Sequence, residues 1–229
     1  LLSFLAWLSS RSLKLSIGTA ISFFVIGYFG MWKDTMSTMA IISVATLICL
    51  VVGTPIGVLM ARSERLKNIL SPVLDMMQTI PTFVYLIPII MLLGIGKVPG
   101  LLAVCVYAIP PIVRLTNLGI REVDRRVVEA AKALGIKKRI ILFKIEIPLA
   151  LPSIMTGVNQ TIMMALAMVV IASMIGVSGL GVPILRSISN QFLALGLMNG
   201  LAIVALAIIF DRISQNYARR IQKHKEAKK

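Results

Sequence analysis

Six stretches of this chain are apolar enough and long enough to cross a lipid bilayer, and they limit its fold more than any motif does. They lie near Leu15–Trp32, Met36–Ala61, Ile69–Ile95, Val98–Thr116, Pro148–Gly176 and Gly196–Ile213. A crossing helix takes roughly 20 such residues. In hydrocarbon every backbone N–H and C=O must be satisfied within the protein, which a helix does internally. The expectation is an all-α integral membrane protein. Composition agrees, with 58% hydrophobic and only 14% charged residues, far from a soluble profile.

A net charge of +15 would suggest nucleic acid in a soluble protein. Its distribution argues otherwise. When the ends of the six spans are alternated, Lys33, Lys97 and Arg186 are the only basic residues on one side. The rest of the 24 flank the opposite ends: Arg11 and Lys14, the Arg62–Lys67 turn, Arg114 to Lys144, and the tail from Arg212. Positive charge accumulates on the cytoplasmic side. Both termini and the 117–147 connection are therefore expected in the cytoplasm, and no nucleic-acid partner is expected. The chain divides into an N-terminal segment (1–14), a transmembrane domain (15–213) and a basic tail (214–229). Leu1–Trp7 is too short to span and lacks a signal-peptide layout, so it reads as an interfacial stretch or the end of a truncated helix. The tail reads as solvated or resting on anionic lipid headgroups.

The connection holds Glu129 to Pro148, EAAKALGIKKRIILFKIEIP. Ala130, Ala131 and Ala133 make a thin helix face, and Val123, Val127, Ala131 and Leu134 recur as an apolar stripe. Gly135 suits a left-handed helix C-cap and Pro148 the first turn of the next helix. A short helix with such a face, outside the membrane, is suited to being gripped by a soluble partner.

The third span carries Asp75, Gln78, Thr79, Pro81, Thr82, Tyr85 and Pro88. Its prolines free backbone carbonyls, which is tolerated inside protein or beside a water-filled path. Either it is a kinked helix bonded to its neighbours, or it lines a pathway with Phe83 and Tyr85 offering π-faces to a cation. The pathway reading is preferred, because polar groups in spans tend to face cavities. Asp75 and Arg114 are expected at similar depth, as a structural ion pair or a gate element. Asn159, Gln160 and Thr161 cannot share one helix face, so at least one should bond across to another helix, whether as interhelical glue or as a cargo contact. Gly53-x-x-x-Gly57, Ser153-x-x-x-Gly157 and Gly196-x-x-x-Gly200 mark close helix contacts. Ser178–Gly181 with Pro183 is expected as a flexible outer turn, followed by an interfacial helix through Ile184, Leu185, Ile188 and Phe192 that covers the outer mouth.

Other chemistry is absent from the pattern. Cys49 and Cys105 lie inside apolar runs and read as core residues. Gly94-Ile-Gly-Lys97 ends like a phosphate-binding loop, but Val98 replaces the hydroxyl residue and Met91 the first glycine. No nucleophile–base set or metal cluster is visible, so no enzyme activity is expected in this chain.

The spacing Glu129-Ala-Ala, Gly135, Ile145-x-Ile147-Pro148 resembles the EAA coupling loop of binding-protein-dependent ABC importer permeases, with Ile147 where Leu is usual. WKDTMST from Trp32, DMMQTIPTFVYLIPIIMLLGIGKVPG from Asp75, PPIVRLT from Pro110, GVNQT from Gly157, MVVIASMIGVSGLG from Met168 and FDR from Phe210 are similar to the permeases of glycine betaine/proline betaine importers. The resemblance runs through most of Trp32–Arg212. It implies six transmembrane helices of the type I (MetI-like) permease fold in a bacterial inner membrane, with a cytoplasmic coupling helix. Glu129, Ala130, Ala131, Gly135, Ile145 and Pro148 would serve ATPase coupling. It further implies a homodimer around one path, two cytoplasmic ABC ATPase subunits that bind ATP and Mg, and an extracytoplasmic substrate-binding protein. Cargo would be a glycine betaine-type osmoprotectant passing Gln78, Thr79, Thr82, Phe83, Tyr85, Asn159, Gln160 and Thr161. The alternatives are an importer for choline, carnitine or trimethylamine oxide, or an ion-coupled secondary transporter.

Overall fold

The computed structural model describes residues 13–226, with side chains described from Ser16 to Asn216. The expectations for Leu1–Trp7 and for the end of the tail therefore lie outside the described residues. The chain is all-α. In order it forms α1 (Leu13–Tyr28), α2 (Trp32–Arg62), α3 (Glu64–Thr79), α4 (Thr82–Leu93), α5 (Lys97–Arg121), α6 (Arg125–Ala133), α7 (Lys138–Ile141), α8 (Ile147–Ala172), α9 (Gly181–Asn190) and α10 (Leu193–Glu226).

Four of the six expected spans are unbroken: α2, α5, the run from Lys138 to Ile175 that contains α7 and α8, and α10 over Leu193–Asn216. The first expected span is the shorter apolar helix α1. The third, expected near Ile69–Ile95, is two helices, α3 and α4, meeting at 101°. The corner has a local cause. Ile80 (φ −67°, ψ 130°) and Pro81 (φ −56°, ψ 139°) are both extended, the conformation that a proline imposes on itself and favours in the residue before it. α3 also starts earlier than expected, where the Ser63 hydroxyl accepts from Leu66 N–H at 3.3 Å and caps its N-terminus. The result is an amphipathic helix rather than half of a straight span. At the other end, α10 continues without a break to Glu226, so the start of the expected tail is helical.

α5 is the centre of the bundle, packed against both α2 and α8, which also touch each other. Small residues allow this. A Cβ on Gly53 would stand 2.5 Å from Ile112 Cγ2, one on Gly57 would meet the Val113 carbonyl at 2.6 Å, and one on Gly157 would lie 3.2 Å from Ile112 Cα. Gly119 of α5 faces Ser153 in the same way, at 2.6 Å. Without a hydrophobic driving force between helices in lipid, such close packing is a main source of association. The third small-residue pair behaves differently: Gly196 packs on Ser187, but nothing lies near Gly200. α10 packs on the far side of α8 and carries α9, α1 lies against α10 and α2, and α4 lies against α5.

The turn after Ala172, expected to be a flexible outer one, is packed rather than loose. Val177 and Leu180 are fully buried. Leu180 N–H donates to Thr38 Oγ1 at 2.9 Å, and Gly96 N–H donates to the Ile175 carbonyl at 2.8 Å. The glycines there permit close approach rather than motion, since a Cβ on Gly179 would be 2.4 Å from Thr38 Oγ1.

Candidate functional site

On the side of the bundle rich in arginine, α5 ends at Arg121 and the chain turns directly into α6. Asp124 caps α6, accepting from Arg126 N–H at 2.9 Å. The Arg126 side chain, then the Arg126 backbone N–H, hold the Asp124 carboxyl below its ordinary value. The other end closes on Gly135 at φ +72°, with Gly135 N–H donating to the Lys132 carbonyl and Ile136 N–H to the Ala131 carbonyl. That pair of bonds is the Schellman cap, which favours glycine at the left-handed position. A Cβ there would meet nothing, so the demand for glycine is conformational.

The apolar stripe expected on α6 divides. Val123 and Ala131 are buried, whereas Val127 and Leu134 are exposed, Leu134 by 79%. Glu129 and Ala130 are exposed with them. The helix thus presents an outward face of Glu129, Ala130, Val127 and Leu134, while Ala131 roots it to the rest of the chain. Beyond Gly135, residues Leu142–Glu146 form a π-helical turn between α7 and α8, with Ile147 N–H donating to the Leu142 carbonyl. Pro148 sits in the first turn of α8. Lacking an N–H and crowding the carbonyl four residues back, it favours a widened turn ahead of it. Ile145 is half-buried in that turn.

Arg114 donates to Asp75, joining α5 to α3. Among the residues singled out for a pathway, Gln78, Thr79 and Phe83 are exposed and Thr82 is half-buried. Tyr85 is buried: its hydroxyl donates to the Met77 carbonyl, and its ring meets Tyr107 edge-on at 6.0 Å. Asn159 reaches across to α10, donating to Asp211 Oδ1 at 2.7 Å and accepting from the Ser214 hydroxyl at 2.6 Å. Gln160 is exposed, and Thr161 is fully buried with no hydrogen-bond partner for its hydroxyl. Among the described residues no group of His, Cys, Asp and Glu could hold a metal ion.

Residues 53–223 match the family described as binding-protein-dependent transport system inner membrane component. The chain belongs to that family. Among these inner membrane components it is 49% identical, over 96% of its length, to the glycine betaine/proline betaine transport system permease protein ProW of Salmonella typhimurium, of which it covers 62%. It is 43% identical, over 92% of its length, to the glycine betaine transport system permease protein OpuAB of Bacillus subtilis, of which it covers 74%. The chain thus spans about three-fifths of the first of these relatives. An inward-facing structure of the MetNI methionine ABC transporter superposes with a TM-score of 0.75 at 20% identity, covering 82% of this chain and 94% of that one. The fold is therefore MetI-like, in a multi-pass membrane protein.

Two arginine joints of this inner membrane component were missed by sequence reasoning. Arg62, at the end of α2, donates to Glu146 Oε2 at 2.6 Å and to the Lys138 carbonyl at 3.5 Å. Arg121 donates to Glu64, to the Met60 carbonyl at 2.9 Å and to Asn117 at 2.9 Å. Nothing local in the sequence pairs residues 84 and 57 positions apart. The only signal was a carboxylate, Glu146, at the mouth of an apolar span.

Proposed function

We propose that the chain is the membrane-spanning subunit of an ATP-driven, binding-protein-dependent importer of glycine betaine- or proline betaine-type osmoprotectants. The observation that carries this is 49% identity to ProW across nearly the whole chain. In this reading six spans per copy sit in a bacterial inner membrane with both termini inside, and two copies enclose one path. An extracytoplasmic binding protein delivers cargo, and two ATPase subunits bind ATP and Mg, leaving this chain without a catalytic step.

The exposed face of α6 around Glu129 and Ala130 is the docking surface for those ATPases, and Gly135, Ile145 and Pro148 set how rigidly it joins the spans. Closure of the ATPases would move α6, and the spans with it, as a rigid-body switch of access. Gln78, Thr79, Thr82, Phe83 and Gln160 serve the path, while Tyr85, Asn159 and Thr161 hold its walls. Asp75 and Arg114 form an inner gate element. A quaternary amine needs aromatic faces for its methylammonium end and a few amides or hydroxyls for its carboxylate.

The test is uptake of labelled glycine betaine by proteoliposomes that hold the complex co-purified with its ATPase and binding protein, with choline, carnitine and trimethylamine oxide as competitors. ATP-dependent uptake is expected. Glu129→Lys and Gly135→Val should insert normally and lose cargo-stimulated ATP turnover. Uptake driven by an ion gradient through this chain alone would overturn the reading.

A further inference from the structure

α6 is continuous with α5 at one end and, through α7 and the π-helical turn, with α8 at the other. A movement of α6 therefore reaches α5 and α8 along the chain itself. α2, which ends at Arg62, is not continuous with α6 along the chain and otherwise follows it only through its packing on α5 and α8.

The geometry points to the Arg62–Glu146 pair as the linkage that carries movement of the coupling segment into α2. The inference rests on the transport reading above and goes beyond it, since neither residue belongs to the EAA pattern. Three observations support it. The pair joins the last turn of α2 to the π-helical turn just before α8, at 2.6 Å. The same guanidinium nitrogen reaches the Lys138 carbonyl in α7, so both parts of the coupling segment's return are tied to one side chain. The Glu146 side chain is only 12% exposed, against 34% for Arg62. A carboxylate withdrawn from water in this way is costly unless paired, which keeps the joint closed as its neighbours move. The π turn that holds Glu146 is a single wide turn lying between α7 and α8. Such a turn is a point where a helix can bend. Without the ionic tie, α2 would follow such a bend only through its side-by-side packing on α5 and α8, with no direct hold on the turn itself.

Arg62 and Glu146 are thus positioning residues, which act by keeping α2 in step with α6. Single substitutions confuse this role with stability, because each leaves one charge withdrawn and unpaired. Replacing both by apolar residues of similar volume removes that penalty. The decisive variant is therefore Arg62→Met with Glu146→Met, compared with Arg62→Lys, which keeps the ionic bond.

The readout is glycine betaine transported per ATP hydrolysed by the full complex in proteoliposomes, alongside thermal unfolding. The double variant should unfold within a few degrees of the unsubstituted complex and keep its ATP turnover. Its transport per ATP should fall about tenfold, the scale of an ordinary coupling free energy. Arg62→Lys should stay within about twofold of the unsubstituted complex on the same scale. If the double variant transports as many molecules per ATP as the unsubstituted complex, the linkage is only structural and the inference fails. If it is too unstable to assemble, Arg62→Lys decides: retained coupling supports the ionic tie, and lost coupling in a stable, ion-paired variant overturns it. Should the unsubstituted complex itself show no ATP-dependent uptake, the transport reading fails and the linkage fails with it.

Discussion

The two ends of this bundle are held together by opposite means. At the end that the charge distribution assigns to the outside, called the outer end, the segment 173–181 is locked by shape: Val177 and Leu180 are fully buried, and Gly179 and Gly181 press against Thr38 and Ser173. Its bonds to other helices are backbone ones: the Leu180 amide to the buried Thr38 hydroxyl, and the Gly96 amide to the Ile175 carbonyl. At the inner end the helices meet through arginines, Arg62 to Glu146, Arg114 to Asp75 and Arg121 to Glu64, and the Asp75 and Glu64 side chains are more than half exposed. Interdigitated packing has one good arrangement and resists small displacements. Ion pairs with an exposed carboxylate, as at Asp75 and Glu64, contribute little stability and can re-form after a shift, whereas the covered Arg62–Glu146 pair stays closed. The difference suits an outer end that moves as one body and an inner end that works as a set of joints.

The largest expected effect is at the outer end. Gly100 lies in α5, where a helix interior would favour alanine over glycine by about 1 kcal/mol. Yet a Cβ there would stand 1.9 Å from Val177 Cγ2, on a β-branched side chain with little freedom to turn away. Gly100→Val should cost about 3 kcal/mol from overpacking, read as a lower unfolding temperature in detergent. Adding Val177→Ala should recover much of the loss. If Gly100→Val alone is as stable as the unsubstituted protein, the outer end is softer than its packing implies, and the contrast breaks.

A smaller effect is expected at the inner end. Arg121→Met removes the bonds to Glu64, to the Met60 carbonyl and to Asn117. Glu64 is exposed, and the Arg121 guanidinium, the first cause, holds its carboxyl below the ordinary value. The stability loss should be clearly smaller than that of Gly100→Val, because an ion pair with an exposed carboxylate contributes little. Accessibility at the α2–α3 corner, measured by labelling a cysteine introduced at Arg65, should rise. A loss as large as that of Gly100→Val would mean that the inner end is locked as firmly as the outer one.

How much of this was legible beforehand follows the same division. Local features could be read because their causes are local: Gly135 at a left-handed cap, Pro148 in a first turn, and Gly53 and Gly57 at a close helix contact. The corner at Ile80–Pro81 was half legible. The prolines signal irregularity, but the charges Glu64, Arg65 and Lys67 read as part of a turn at Arg62–Lys67 rather than as the polar start of α3, so Ile69–Ile95 looks like one span. The outer turn was misjudged because a glycine that permits close approach looks, in sequence, like one that permits motion. Only the neighbours Thr38, Ser173 and Val177, set by the fold, distinguish the two. Asn159 was expected to bond across or to meet cargo, and its partners, Asp211 and Ser214, depend on the register of α10 against α8. The Arg62 and Arg121 joints depend on tertiary placement alone, whereas the Asp75–Arg114 pair follows from their depth at the ends of adjacent spans.

The smallest effect separates the two ends by pH. Asp124 caps α6, and its carboxyl titrates below the ordinary value because the Arg126 side chain, and then the Arg126 amide, bind its charged form. A depressed folded value means that the contribution is fully present above the unfolded carboxylate value, about 3.9. It is lost as pH falls through the folded value. Acidification below about pH 4 should therefore fray the start of α6, seen as faster hydrogen exchange at Val127 and Val128, whose amides bond to the Asp124 carbonyl. Asp124→Asn keeps a good N-cap while removing the titration, so exchange there should become nearly independent of pH after correction for the intrinsic rate. The outer segment Ser173–Gly181 contains no titratable side chain, so the Leu180 amide should stay protected throughout the same range. Parallel loss of protection at Leu180 would show that the ends open together, and that stiffness is not divided between them.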